Sequence, residues 1–309
     1  MRPRVPTTAV ALAFALYAAG CASPPAATTP GARPAPSTTP PTPNTGTTPT
    51  TSPSEGRPVT IGTSYTLPST VLKETRRINV YLPEGYADAT KKFPVLYLLD
   101  GGEKEDFHHI TGLVALETQN GFTREAIVVG IADTDRKHDF TSPSSDPRDR
   151  AEVPTHGGAA AFRAFLATEL RPWVTAHLRT NGESVVIGES LAALFIVETF
   201  LKEPQTFDGY IAISPSLWWD KGSLANEAEA RVRAFPAGKR SLYLSIGDEG
   251  GGMRSGVDQL VAALNAHPPE GLVWKFEPRP TESHGTVYQP AAQAALRVLL
   301  AAPKAKPAH

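Results

Sequence analysis

The chain has 309 residues, with 30 lysines and arginines against 31 aspartates and glutamates, for a formal net charge of −1. No long basic run or clustered aromatic and basic stretch departs from that balance, which excludes nucleic acid as a partner. A single cysteine excludes an intrachain disulfide, while 40% hydrophobic residues suffice for a sizeable core.

Arg2 and Arg4 precede an apolar run at residues 9–19 that is too short to span a bilayer, the pattern of a secretory signal sequence over residues 1–21. Ala18-Ala19-Gly20-Cys21 resembles a bacterial lipobox, in which the cysteine becomes the lipidated first residue of the mature protein. Leucine is preferred where Ala18 stands, and the alternative is a plain secreted protein cleaved nearby. Residues 22–57 are nearly all Pro, Thr, Ser, Ala and Gly. So little apolar surface cannot repay the entropy of ordering, and proline biases such a tether toward extended backbone of about 3.1 Å per residue. The expected location is therefore outside the cytoplasm, with a lipid anchor as the only membrane contact. One globular domain over residues 58–302 and a short disordered tail at 303–309 complete the expected organisation.

Within that domain, residues 77–82 alternate as a strand should. Residues 94–99 form a continuous apolar run stopped by Asp100-Gly101-Gly102, as suits a strand buried on both faces. Residues 126–131, 184–187, 210–213, 242–246 and 273–276 read likewise. Helical patterns fall between them at 158–177, 191–201, 225–235, 255–266 and 291–300. Strands alternating with helices predict an α/β fold with a mostly parallel central sheet and helices on both faces. Residues 107–121 and 134–154 are expected to be loops that wall a pocket.

In open α/β sheets the ligand site lies beyond the carboxyl ends of the strands. The run Val185-Val186-Ile187-Gly188-Glu189-Ser190-Leu191-Ala192 carries a strand straight into a serine that opens an apolar helix. A nucleophile elbow would sit there, its usual pattern being G-x-S-x-G with glycine where Ala192 stands. An ordinary N-cap serine is the competing reading. Acids at Asp248-Glu249 and a histidine at His284 follow in the order Ser, acid, His, the order of α/β-hydrolases.

These residues are similar to an esterase family of the α/β-hydrolase fold that includes enterochelin-type siderophore esterases, with mycolyltransferases and S-formylglutathione hydrolases as more distant relatives. Arg76-Arg77-Ile78-Asn79-Val80-Tyr81-Leu82-Pro83 resembles the family's opening strand, and the run ending Leu98-Leu99-Asp100-Gly101 its second. Ile127-Val128-Val129-Gly130-Ile131 with Arg136 and Asp139 resembles the next strand and its basic loop. Ile211-Ala212-Ile213-Ser214-Pro215-Ser216-Leu217-Trp218-Trp219 and Glu282-Ser283-His284-Gly285-Thr286-Val287 resemble the segments that follow. Two departures stand out. Glu189 occupies a position where many members have histidine, and Ala192-Ala193 replaces Gly-Gly.

The resemblance implies roles. Ser190 is the expected nucleophile and His284 the base that takes its proton, then returns it to the leaving alcohol. Glu249 is the favoured acid partner, with Asp248 or a Ser-His dyad as alternatives. The backbone N–H groups of Leu191 and Gly102 are the expected oxyanion donors. Arg136 is a candidate for binding an acidic or carbonyl-rich substrate, against a surface ion pair with Asp133, Asp135 or Asp139. Trp218 and Trp219 are candidate pocket walls, against a place in the core. His108 and His109 lack the further spacing of a metal site, so neither metal nor cofactor is expected. The implied activity is hydrolysis of a small-molecule or glycan carboxylic ester through an acyl-enzyme. A non-catalytic binding module and an acyltransferase of mycolyltransferase type are the alternatives.

Overall fold

The computed structural model describes residues 57–303. The expected signal sequence with Cys21, the expected tether up to residue 56 and the expected tail from residue 304 lie outside the described residues. Eight strands form one sheet: β1 (Thr63–Ser69), β2 (Glu74–Tyr81), β3 (Phe93–Leu98), β4 (Ile127–Ile131), β5 (Thr180–Glu189), β6 (Gly209–Ile213), β7 (Arg240–Ile246) and β8 (Leu272–Pro278). Their order is β1-β2-β4-β3-β5-β6-β7-β8. The six strands from β4 to β8 in that order are parallel, and β2 is antiparallel to both its neighbours.

Each central strand alternates its buried side chains between two helical layers. Val95, Tyr97 and Leu99 face one core, and Leu96 and Leu98 the other. The second core is closed by α1 (Phe107–Gln119) and α10 (Tyr288–Leu299). The first is closed by α2 (Arg136–Phe140), α4 (Ala159–Phe165), α6 (Leu191–Lys202), α8 (Ala228–Arg233) and α9 (Gly251–Ala266), among others. Helices α3 (Pro147–Glu152), α5 (Arg171–His177) and α7 (Trp219–Asn226) complete the set. Helices on both faces of a mostly parallel sheet match the architecture expected from the sequence.

The differences are local. The stretch expected as one helix at 158–177 passes through a π turn at Leu166–Leu170 before α5. Pro172 has no N–H for the carbonyl one turn back, and widening the helix there relieves the mismatch. Residues 107–119, expected as loop, form α1, which buries Phe107, Ile110, Leu113 and Val114 at helical spacing. Gly112 and the β-branched Thr111 weaken its propensity, and packing against the sheet overrides it. Strand β1 was not expected: its Thr-Ser-Tyr-Thr start is exposed on both faces, and Pro68 suits an edge position with nothing to pair on one side.

Candidate active site

Three neighbouring parallel strands end in non-glycine residues with left-handed backbone: Asp100 after β3 (φ 52), Ser190 after β5 (φ 61) and Ser214 after β6 (φ 47). Such conformations are costly for residues with a Cβ and persist only where the surroundings impose them. At Ser190 the imposition is visible. Its N–H donates to Ile213 O at 3.0 Å, which ties the turn to β6, while its carbonyl begins α6 by accepting from Leu194 N–H at 2.9 Å. Gly188 is required by close approach: a Cβ there would sit 2.7 Å from the methyl of Ala192. Although Ser190 stands at the N-cap of α6, its hydroxyl caps no helix N–H. The N-cap reading therefore does not account for it.

The hydroxyl instead faces a histidine. Ser190 Oγ lies 3.1 Å from His284 Nε2, and His284 Nδ1 lies 2.8 Å from Glu249 Oε2. With Nδ1–H donating to the carboxylate, Nε2 is left to accept the serine proton. The other Glu249 oxygen accepts from the Ser214 hydroxyl and from Gly247 N–H at 3.2 Å. The Glu249 side chain is 5% exposed and that of His284 47%, so the acid is fixed inside while the imidazole reaches the surface. Asp248 is exposed, and its N–H donates to Glu282 O at 2.6 Å, pinning the acid's loop to the histidine's. Of the two adjacent acids, Glu249 is the one that meets His284. Sequence reasoning gave no role to Ser214 or to Ser216, whose buried hydroxyl lies 3.4 Å from Ser190 Oγ.

The ends of β3 and β4 supply the rest. Leu191 N–H, the first of α6, meets no acceptor among the described residues, whereas Gly102 N–H donates to Glu105 Oε2 at 2.6 Å. The oxyanion position expected at Gly102 is thus held by a carboxylate of the same loop. Sequence reasoning missed Glu105, although a turn residue followed three positions later by glutamate is the spacing at which a side chain reaches back to cap an N–H.

Arg136 is engaged within the fold. Its guanidinium makes a bidentate pair with Asp100 at 2.5 and 2.9 Å and donates to Glu189 O at 3.3 Å, clamping the end of β3 to the end of β5. Of the ion-pair partners considered from sequence only Asp133 is near, at 3.9 Å; Asp139 pairs with Arg76.

Around this clamp the carboxyl groups crowd one another. Burial, then the charges of Asp106, Glu249 and Asp100, push Glu189 up to about 8 despite Arg136. Burial and the neighbouring Asp100 and Glu105 push Asp133 up to about 9. Glu189 Oε1, His109 Nε2 and the Tyr288 hydroxyl are buried without hydrogen-bond partners. His109 bonds Asp106 at 3.3 Å and is held above its ordinary range by it.

Trp219, not Trp218, is the core member of the aromatic pair, with its indole N–H donating to Ser142 O at 2.9 Å. Trp218 is half-buried and lies against Gly252 at the start of α9. No group of three or more His, Cys, Asp or Glu side chains suited to a metal occurs among the described residues. A strained serine, a histidine and a buried carboxylate in line form the arrangement that moves a proton off a hydroxyl as it attacks a carbonyl.

Comparison with known proteins identifies the family. Residues 69–285 match the family described as "Putative esterase". The chain is 29% identical over 192 residues to the ferri-bacillibactin esterase BesA of Bacillus subtilis, covering 52% of this chain and 63% of that protein. It is 30% identical over 139 residues to the siderophore enterobactin esterase of Emericella nidulans, covering 39% and 46%. The chain thus spans less than two thirds of the length of either curated relative. Among solved structures, an IroE-like serine hydrolase from Shewanella oneidensis superposes with a TM-score of 0.70 at 30% identity, over 77% of this chain and 80% of that one. With the family matched over most of the described residues and the fold shared with a solved hydrolase, the chain belongs to the "Putative esterase" family of the α/β-hydrolase fold.

Proposed function

We propose that the protein is a serine carboxylic ester hydrolase that works through an acyl-enzyme on Ser190. The observation that carries this reading is the unbroken line from Ser190 Oγ through His284 to Glu249, with spacings of 3.1 and 2.8 Å. As Ser190 attacks the ester carbonyl, His284 takes its proton at Nε2, and the imidazolium so formed is stabilised by Glu249, itself held by Ser214 and Gly247. The carbonyl oxygen, now an oxyanion, meets the free Leu191 N–H and, once Glu105 swings aside, Gly102 N–H. One such donor contributes about 2.7–4 kcal/mol in a preorganised site. His284 then protonates the leaving alcohol, and water repeats the cycle on the acyl group.

The substrate class is a small-molecule ester, and the names of the relatives make siderophore esters the first to assay. A non-catalytic binding module would have no need of a strained serine aligned with a histidine and a buried acid. Turnover of short p-nitrophenyl esters and covalent labelling by a fluorophosphonate probe test the reading. Both are expected in the wild type and neither in Ser190→Ala; a variant that kept either property would refute the nucleophile. The lipid-anchored, extracytoplasmic location rests on the residues around Cys21, and fatty-acid labelling lost in Cys21→Ala is the expected outcome.

A further inference from the structure

We propose that Glu105 is a specificity-determining residue of the Ser190 site: its carboxylate occupies the Gly102 N–H that would receive the ester oxygen, and its charge sets the site against esters with a negative group near the scissile carbonyl. Neutral and cationic esters are the favoured class. The inference rests on Ser190 being the nucleophile and adds a substrate preference to that reading.

The contact is a built one. Gly102 carbonyl accepts Glu105 N–H at 3.1 Å while Glu105 Oε2 accepts Gly102 N–H at 2.6 Å, a reciprocal pair within one turn. Gly102 leaves the room for it, since a Cβ there would lie 2.6 Å from Glu105 Cδ. Asp133 N–H points at the same carboxylate, 3.4 Å from each oxygen. A carboxylate on two backbone N–H groups is an internal stand-in for the oxyanion, a negative oxygen held where one would develop.

Displacement is easy because Glu105 is exposed. Its side chain can turn into water without burying a charge, yet it stays at the rim when it does. Arg136 offers little compensation, because it is already paired with Asp100 and lies 3.9 Å from Asp133. Burial, and then the charges of Asp106, Glu249 and Asp100, hold protons on Glu189, the residue before the nucleophile. A site that keeps its own carboxyl groups protonated resists bringing in another negative charge.

Matched p-nitrophenyl esters of equal acyl length, ending in a methyl, a trimethylammonium or a carboxylate group, test the proposal. Wild type is expected to favour the first two over the third by about tenfold or more in kcat/KM. Glu105→Gln keeps an oxygen for Gly102 N–H and removes only the charge. It is expected to shrink that preference by about threefold to tenfold, mainly through KM for the anionic ester, the size expected of an exposed charge. A wild type that prefers the anionic ester, an unchanged preference in Glu105→Gln, or an equal loss for all three esters would each overturn the proposal. The Gly102 amide resonance, expected downfield in wild type and moved upfield in Glu105→Ala, checks the contact independently of turnover. Fluorophosphonate labelling separates the two failures: a labelled Ser190 with an unchanged preference removes Glu105 alone, whereas an unlabelled Ser190 removes the nucleophile reading beneath it.

Discussion

The two ends of the parallel strands use their polar groups in opposite ways. At the amino ends polar groups close local pairs: Arg124 takes Glu183 bidentately at 2.6 and 2.7 Å, and Asp208 binds both the N–H and the hydroxyl of Ser184. At the carboxyl ends, Asp100, Ser190 and Ser214 all sit in left-handed backbone, and burial together with neighbouring acids holds protons on Glu189 and Asp133. Lys73 in the β1–β2 hairpin and Asp220 and Lys221 in α7 are the other such residues described. A groove of about 700 Å³ bordered by Gly182, Asp208, Arg240 and Gly271 opens at the amino ends. Strained backbone and buried neighbouring acids set the carboxyl end apart, the kind of surroundings in which catalytic groups cluster.

The sharpest break in that contrast comes from the carboxyl end. Glu249→Gln is expected to lower kcat by about 10²–10⁴-fold, because an amide can no longer hold the imidazolium or its tautomer. Asp248→Asn is expected to change it less than about threefold, in line with surface substitutions away from such features. Equal losses in steady-state kinetics would show that the loop, and not the Glu249 carboxylate, matters.

Next in size is a dependence of stability on pH. Glu189 and Asp133 keep protons in the folded chain up to about 8 and 9, whereas their ordinary values are 4.5 and 3.8. Between these limits the folded state binds more protons than the unfolded one, so their contribution falls as pH rises from about 5 through 9. Discounted for partial exposure, the loss is on the order of 1–2 kcal/mol, or a few degrees in Tm. Glu189→Gln and Asp133→Asn should each flatten the decline in thermal melts between pH 6 and 9. A wild-type Tm that rises over that range would contradict the raised values of these two carboxyl groups.

The smallest effect is expected at the amino end. Arg124→Ala removes a half-exposed ion pair and should cost about 1 kcal/mol or less, with ester turnover unchanged. A loss of activity there would mean that the two ends are coupled.

Much of this was legible in the chain because burial writes itself into hydrophobic runs. The central strands stand out as apolar stretches broken by Asp100, Ser190 and Ser214, and Ser190, Glu249 and His284 follow in the order their strands impose. Helix α1 was not legible, since its Gly112 and paired histidines dilute the periodic signal that its buried face nevertheless obeys. Edge strand β1 is exposed over its first four residues and packs only Leu67 against the core, too little to leave a pattern. Arg136 illustrates a different limit: charge and position left a substrate contact and an ion pair open, and only geometry shows a guanidinium joining Asp100 to the Glu189 carbonyl. Glu105 escaped because the three-residue spacing from Gly102 to a glutamate is a weak signal until the carboxylate oxygen is placed on the Gly102 N–H.

The contact between Gly188 and Ala192 changes what the elbow motif means. The two positions share room for a single methyl group, and this chain puts it on the helix where the usual pattern leaves both sides bare. The requirement is thus a sum over two residues, not a rule for each. Glycine at 192 is dispensable as long as 188 keeps its hydrogen, and the motif is better stated as a volume shared between strand and helix than as letters at fixed places.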